Sequence, residues 1–206
     1  MQQLQRLLES IPALLASGLL DTSGGNLSVR TDRGILVTPS LSGESLGWQL
    51  SIDDFVLFPG EGDASMARAG RRASRDNRVH RAVLNARPDW HCVYHGHPWG
   101  LLAFCTAERP LQVPIGFSEH FGRRGARKIP LVQAIAPGTA ELADKSAAVI
   151  TEHFAGCTHG AVLLSGHGPV VAGSAVESTL SLAQVLENLA RAQQWRLLGA
   201  ESDNGQ

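Results

Sequence analysis

Two histidines separated by a single glycine, His95 and His97, are the residues of this chain with the clearest chemical potential. They follow an apolar run that is typical of a buried β-strand, and residues two apart on a strand point to the same face. Both imidazoles would then face one point, which predicts the start of a divalent-metal site. The alternative interpretation is a pair of exposed histidines at a strand end. A metal site needs a third ligand, so the rest of the chain must decide between the two.

The best candidate for that third ligand is His167. It lies between two glycines in a tight turn after an apolar strand, where the backbone can bend and project one side chain. His91 would share a strand face with His95 but lies about 13 Å from it by strand rise. His153 and His159 are expected on the surface. Three histidines with an open fourth position are the arrangement of a catalytic metal rather than a structural one.

A carboxylate that could act beside such a metal is Asp76. We expect it in the first turn of a helix capped by Ser74, where the helix dipole also stabilises a negative charge without any catalytic role. His80 follows one helical turn later on the same face, so that the two side chains could form a hydrogen bond. The alternative for His80 is a core histidine.

Several short polar residues in glycine-rich or serine-rich loops could bind an anion such as phosphate through backbone N–H groups and hydroxyls. Arg75 stands beside one of these loops, although arginines in such places are usually solvated. Each feature is also compatible with an ordinary turn. The candidates are Ser23, Gly24, Gly25, Asn26, Thr38, Ser40, Ser42 and Ser74.

The composition indicates a globular protein and excludes several classes of partner. The chain has 206 residues, 43% of them hydrophobic and 18% charged, with a formal net charge of −1, which leaves no basic surface for nucleic acid or anionic membranes. Three widely spaced cysteines form no Cys-x-x-Cys pair and are expected to be buried. No signal peptide or membrane span is recognised. We therefore expect a cytoplasmic protein.

Hydrophobic periodicity predicts one α/β domain over residues 1–206, with a largely antiparallel sheet covered by helices. Helices are expected at 4–15, from Ser74 to before Pro88, at 99–107, at 139–156 and from Ser174 to Gly199. Strands are expected at 27–30, 35–38, 55–58, 93–97, 112–115, 129–135, 161–164 and 170–172. The histidine motifs would then stand at strand ends.

Taken together, the motifs resemble the class II aldolase/adducin family over residues 5–199. The resemblance is carried by TSGGNLSVR at 22–30, VTPS at 37–40, SRD at 74–76 with His80, HGH at 95–97, PG and EL between 137 and 142, and LLSGHG at 163–168. It implies a three-layer α/β/α fold around a mostly antiparallel sheet. It also implies homotetramers with active sites between subunits.

The resemblance further implies roles for individual residues. Zinc, or another divalent ion such as Mn²⁺ or Co²⁺, would be bound by His95, His97 and His167, with Asp76 as the acid/base. In members that act on phosphorylated sugars, the positions of Asn26, Ser40 and Ser74 hold the phosphate. The implied activity is that of a metal-dependent lyase of the aldolase type, acting on a small phosphorylated keto-sugar through a metal-stabilised enediolate.

Two departures from the family pattern keep the reaction open. Arg75 replaces a serine, and Asp76 replaces the glutamate usual in the aldolases, as in the epimerase branch. A dehydratase, a 4-epimerase or a decarboxylase is therefore an alternative to an aldolase. A non-catalytic, adducin-like binding protein is a remote alternative, because all three histidines are retained. Segment 117–128 matches no branch, and its Glu119 or His120 is a candidate proton donor.

Overall fold

The computed structural model describes residues 2–60, 65–67, 70–121 and 126–203, except for the side chains of residues 118 and 197–203. Its helices are α1 (Gln2–Ala16), α2 (Asn77–Ala86), α3 (Trp99–Thr106), α4 (Ala140–His153) and α5 (Val176–Asp203). Short 3₁₀ segments cover Ile52–Asp54 and Ile115–Phe121. Among these helices, none is both long enough and apolar enough to cross a membrane.

The strands are β1 (Asn26–Thr31), β2 (Gly34–Val37), β3 (Val56–Phe58), β4 (Met66–Ala67), β5 (Cys92–His95), β6 (Leu111–Gln112), β7 (Lys128–Ile129), β8 (Leu131–Val132), β9 (His159–Leu164) and β10 (Gly168–Gly173). Eight of them form one sheet in the order β4-β3-β2-β1-β5-β10-β9-β8, while β6 and β7 form a separate pair. Every pairing in the large sheet is antiparallel except that of β8 with β9.

Two groups of helices cover this sheet, which confirms the predicted three-layer α/β/α fold. Helix α2 packs against α4, and α5 packs against both α1 and α3. The central strands β5, β9 and β10 are buried along their whole length, as expected for strands covered on both faces. The three cysteines are buried, as predicted.

Several predicted boundaries are wrong. Ser74 does not cap α2, because the helix begins only at Asn77 with Asp76 as the N-cap residue, and the Ser74 hydroxyl accepts from the Asp76 N–H, which lies before the helix. The expected strand at 129–135 is split into β7 and β8 on either side of Pro130, which has no N–H to donate. Strand β5 ends at His95, so that His97 follows the strand instead of belonging to it.

Candidate active site

The register of the central strands brings the histidines together. His95, the last residue of β5, pairs with Asn26 on β1 and with Val170 on β10. Because β9 and β10 form an antiparallel pair, the turn that joins them places His167 next to His95. One ring nitrogen of each of His95, His97 and His167 lies within 4.8 Å of the other two.

These nitrogens fit a divalent metal. His95 Nε2, His97 Nε2 and His167 Nδ1 are buried and have no hydrogen-bond partner in the protein. The other nitrogen of His95, Nδ1, lies 2.8 Å from the Pro169 carbonyl, which can only accept. The neutral imidazole therefore carries its proton on Nδ1 and directs the lone pair of Nε2 into the cluster. Such a carbonyl contact is the usual way in which a protein orients a metal-binding histidine.

The protonation state also suits a metal. Burial, helped by the nearby His167, lowers the pKa of His95 to about 3, and burial lowers the pKa of His97 and of His167 as well. All three imidazoles are then neutral near pH 7, and the neutral form is the one that binds metal.

Asp76 is the carboxylate beside this cluster. Its Oδ2 lies 3.9 Å from His95 Nε2 and accepts a hydrogen bond of 3.2 Å from Asn26 Nδ2, while Oδ1 has no partner. Burial raises the pKa of Asp76, but the adjacent His95, His167 and His80 in their protonated forms, together with the hydrogen bond from Asn26, outweigh burial, and the net pKa is lowered. Asp76 is therefore an ionised carboxylate with one oxygen free to exchange a proton.

His80 is a core residue. Its Nδ1 lies 2.8 Å from the hydroxyl of Ser28 on β1, and its Nε2 has no hydrogen-bond partner, so the hydrogen bond expected between His80 and Asp76 is not formed. The surface position expected for His159 is also wrong. This residue is buried between the hydroxyls of Thr158 and Ser178, at 2.8 and 2.7 Å.

A cleft of about 310 Å³ opens onto the cluster. The predicted anion-binding loops meet there, and among the described residues that line it Arg75 is the only arginine or lysine. His95 is buried immediately beside it. The lining residues are Thr22, Ser23, Gly24, Gly25, Asn26, Ser40, Leu41, Ser42, Gly43, Glu44, Ser74, Arg75, Asp76, His97 and His167.

The comparisons with known proteins agree with this geometry. The family model for the class II aldolase and adducin N-terminal domain matches residues 5–194. The chain belongs to this family. A 5-methylthioribulose-1-phosphate/5-deoxyribulose-1-phosphate aldolase of Rhodospirillum rubrum is 31% identical over 196 residues, which cover 93% of this chain and 80% of the relative. An L-fuculose phosphate aldolase of Escherichia coli is 29% identical over 176 residues, which cover 84% of this chain and 74% of the relative.

Solved structures of this family share the fold. An L-fuculose 1-phosphate aldolase superposes with a TM-score of 0.76 at 21% identity and covers 95% of this chain and 86% of its own. The l-fuculose-1-phosphate aldolase of Thermus thermophilus superposes with a TM-score of 0.72 at 24% identity, and the match covers 95% of this chain and 93% of that structure. At these identities the superpositions establish the fold.

Some residues that line this cleft, and Asp21 in the loop beside it, have no counterpart in the sequence prediction. Asp21 accepts hydrogen bonds inside the glycine-rich loop, and the aspartate-x-serine spacing is a known signal for such a turn. Leu41 and Glu44 also line the cleft. The suggested donors Glu119 and His120 are exposed and do not line the cleft of their own chain. Residues 122–125 of the unassigned segment lie outside the described residues.

Proposed function

We propose that the protein is a divalent-metal-dependent aldolase that cleaves a small phosphorylated keto-sugar. The observation that carries this proposal is the meeting of three neutral, unpartnered imidazole nitrogens with an ionised carboxylate in one cleft. The names of the relatives support it, because the bacterial proteins described above are aldolases of ketose phosphates.

A divalent ion held by His95, His97 and His167 would supply Lewis acidity at the substrate carbonyl. Asp76 Oδ1 then takes the proton of the hydroxyl on the carbon that leaves as an aldehyde. The electron pair of the broken C–C bond passes to the keto fragment. Return of the proton to that fragment completes the second product and restores the carboxylate. Asn26 contributes by holding Oδ2, which orients the free oxygen.

The substrate phosphate is assigned to the side of the cleft formed by Ser40, Ser74 and Arg75. Arg75 supplies the positive charge, and its aliphatic stem packs against Gly138, where an added Cβ would lie 2.5 Å from Arg75 Cγ. This packing limits the directions that the guanidinium can take. A guanidinium binds phosphate well because its donors match two phosphate oxygens at once.

Metal analysis combined with turnover tests the proposal. We expect the purified protein, supplied with zinc, to hold one ion per chain and to cleave members of a panel of ketose 1-phosphates, with products identified by mass. His95→Ala should lose the ion, whereas His153→Ala, a change of an exposed histidine, should keep it. A well-folded protein that takes up no ion and cleaves nothing would refute the proposal.

Asp76→Asn separates metal binding from proton transfer. We expect this variant to retain the ion and to lose roughly 10²-fold or more in kcat, the usual contribution of a general base. Full turnover in Asp76→Asn would remove Asp76 from the mechanism.

A 4-epimerase is the second candidate, because an aspartate occurs at the position of Asp76 in the epimerase branch of the family. Product mass distinguishes the reactions. Cleavage gives two smaller fragments, and epimerisation gives an isomer of unchanged mass. Dehydration and decarboxylation, the remaining family reactions, give loss of water and of carbon dioxide.

We also propose that the protein assembles as a homotetramer. Trp99 and Trp195 are 80% and 76% exposed. The residues next to them in sequence, Gly100 and Gln194, are in contact, because Gln194 Nε2 donates a hydrogen bond of 2.8 Å to the Gly100 carbonyl. Two large apolar side chains on one surface are typical of a protein interface. Light scattering after size exclusion should give the mass of a tetramer, and Trp99→Ser combined with Trp195→Ser should lower it. A wild-type monomer would contradict the assembly.

A further inference from the structure

Two hydrogen bonds join the end of α3 to the turn that carries His167. The Ser165 hydroxyl donates to Glu108 Oε1 at 2.7 Å, although the two residues are 57 positions apart in the sequence. The Gly166 N–H, in the same turn, donates at 3.0 Å to the carbonyl of Cys105 in the last turn of α3. The turn is therefore attached to the helix by one side-chain contact and one backbone contact.

Glu108 occupies a backbone position that suits glycine. Helix α3 ends in a Schellman motif, since the Arg109 N–H donates to the Phe104 carbonyl at 3.0 Å. The φ of Glu108 is +53°, in the left-handed region, where a Cβ causes strain and glycine is the common residue. Glu108 is exposed, and within the described ranges its carboxylate has one hydrogen-bond partner, Ser165. The backbone thus gives no reason for a glutamate here, whereas the contact of its side chain does.

The other side of the same turn lies against the remaining two histidines. A Cβ added at Gly168 would lie 2.5 Å from the Gly96 carbonyl oxygen, 3.0 Å from His97 Cδ2 and 3.3 Å from His95 Cε1. The turn is therefore enclosed between the end of α3 and the His-x-His pair. A shift of the turn would change the distance of the His167 ring from the other two rings.

We propose that Glu108 is a positioning residue for the metal ligand His167. By accepting from the Ser165 hydroxyl, it fixes the turn at the place where the third imidazole meets the other two. Glu108 does not line the cleft, so it acts through Ser165 and the backbone of the turn. This inference rests on the proposed function, since it takes His167 to be a ligand of the ion.

Zinc affinity of the full chain, measured by chelator competition, tests this role. Glu108→Gly removes the carboxylate but suits the left-handed backbone, so the metal-free variant should keep the urea midpoint of the wild type. We expect the same variant to bind zinc about five- to tenfold more weakly, at the lower end of the effect of changing groups that support metal-binding histidines. A purely structural role of Glu108 would not weaken zinc binding while leaving stability unchanged.

Two further variants identify the hydrogen bond as the cause. Glu108→Gln removes the charge but keeps an oxygen that can accept from Ser165, so its zinc affinity should stay close to that of the wild type. Ser165→Ala should weaken zinc binding as much as Glu108→Gly does. The double variant should lose no more than either single variant, because both changes remove the same contact. In cobalt-loaded protein, both single variants should alter the visible absorption of the ion, which depends on the arrangement of its ligands.

Three results would overturn the inference. One is a zinc affinity of Glu108→Gly equal to that of the wild type. Another is an equal loss in Glu108→Gln, because the charge and not the hydrogen bond would then be responsible. The third is a sum of the two single losses in the double variant, because Glu108 and Ser165 would then act separately.

Amide hydrogen exchange of metal-free protein separates this inference from the proposed function. Glu108→Gly should speed exchange at Gly166 and His167, while the distant β1–β2 turn at 31–34 should exchange as in the wild type. Unchanged exchange at the His167 turn would overturn the inference even if the wild type binds zinc. A wild type that takes up no zinc would overturn the proposed function, and with it the role of His167 as a ligand.

Discussion

Glu187 on α5 is a fully buried carboxylate that ties this helix to the start of α3. Its Oε1 and Oε2 accept hydrogen bonds of 2.9 Å from the N–H groups of Gly100 and Leu101, and Arg191 Nε lies 2.5 Å from Oε1. A negative charge at these N–H groups also complements the α3 dipole. Because α3 begins two residues after His97, the contact fixes the segment that leaves the histidine cluster.

Glu187→Gln should destabilise the protein markedly. The amide keeps one acceptor but turns an NH₂ group towards a backbone N–H, and the charge is lost. Hydrogen bonds to charged groups are worth about 1.5–3 kcal/mol each, and breaking a buried charged network costs roughly 3–5 kcal/mol. Arg191 is 48% exposed and can return to water, which reduces the loss. We expect Glu187→Gln to lower the free energy of unfolding by about 3 kcal/mol, which corresponds to a Tm lower by roughly 6–12 °C for a chain of this size.

Thermal and urea denaturation of metal-free protein measure this change. Glu177→Gln is the matched control, because Glu177 lies on the same helix but pairs with Arg6 at an exposed position, with side chains 53% and 41% exposed. It should cost less than about 1 kcal/mol. Equal losses in the two variants, or a loss below about 1 kcal/mol in Glu187→Gln, would refute the reasoning.

Other predictions concern pH and two glycines. Burial lowers the pKa of His80 to about 4 against the opposing charge of Asp76. The contribution of neutral His80 to the free energy of unfolding is therefore complete above pH 6.5 and is lost as the pH falls towards 4. His80→Gln should reduce the loss between pH 7 and pH 4, measured by urea denaturation, by about 3 kcal/mol. An equal loss in both proteins would contradict this account. Gly24→Ala places a Cβ 2.7 Å from His97 Cε1 and should weaken zinc binding about tenfold in chelator competition, unlike Gly60→Ala, where the space is open. Unchanged zinc affinity would show that His97 adapts. Gly138→Ala, at φ +77° and 2.5 Å from Arg75 Cγ, should cost about 1–2 kcal/mol in urea denaturation, whereas Gly116→Ala should be nearly neutral.

The residues of the cleft could be selected from the sequence because their spacing carries local information. The His-x-His pair and the glycine-flanked His167 each mark a strand end, and the structure brings them together. Their approach depends on β10 pairing with β5 in the register that sets Val170 opposite His95. Pairing between distant strands leaves little trace in either segment, so the sequence alone indicated candidates without their geometry.

The errors have the same origin. Ser74 is of a residue type that often caps helices, but its N–H donates to the carbonyl of Thr38, a residue distant in sequence that follows β2. His80 has the helical spacing to reach Asp76, but its Nδ1 contacts the hydroxyl of Ser28 on β1 instead. In both cases a long-range contact replaces the local one. Asp21 is the reverse case, since its contacts with Ser23 and Gly24 are local and follow from the aspartate-x-serine spacing.

The position of the histidine cluster has a kinetic consequence. His95 and His97 are close in sequence, but His167 joins them only after β5 has paired with β10 in the middle of the sheet. An unfolded chain therefore offers an ion two close imidazoles, and the native chain offers three. A bound ion favours the native state and should slow the separation of the central strands more than it speeds their assembly. The lifetime of the protein on heating would then be governed by how long it keeps its ion.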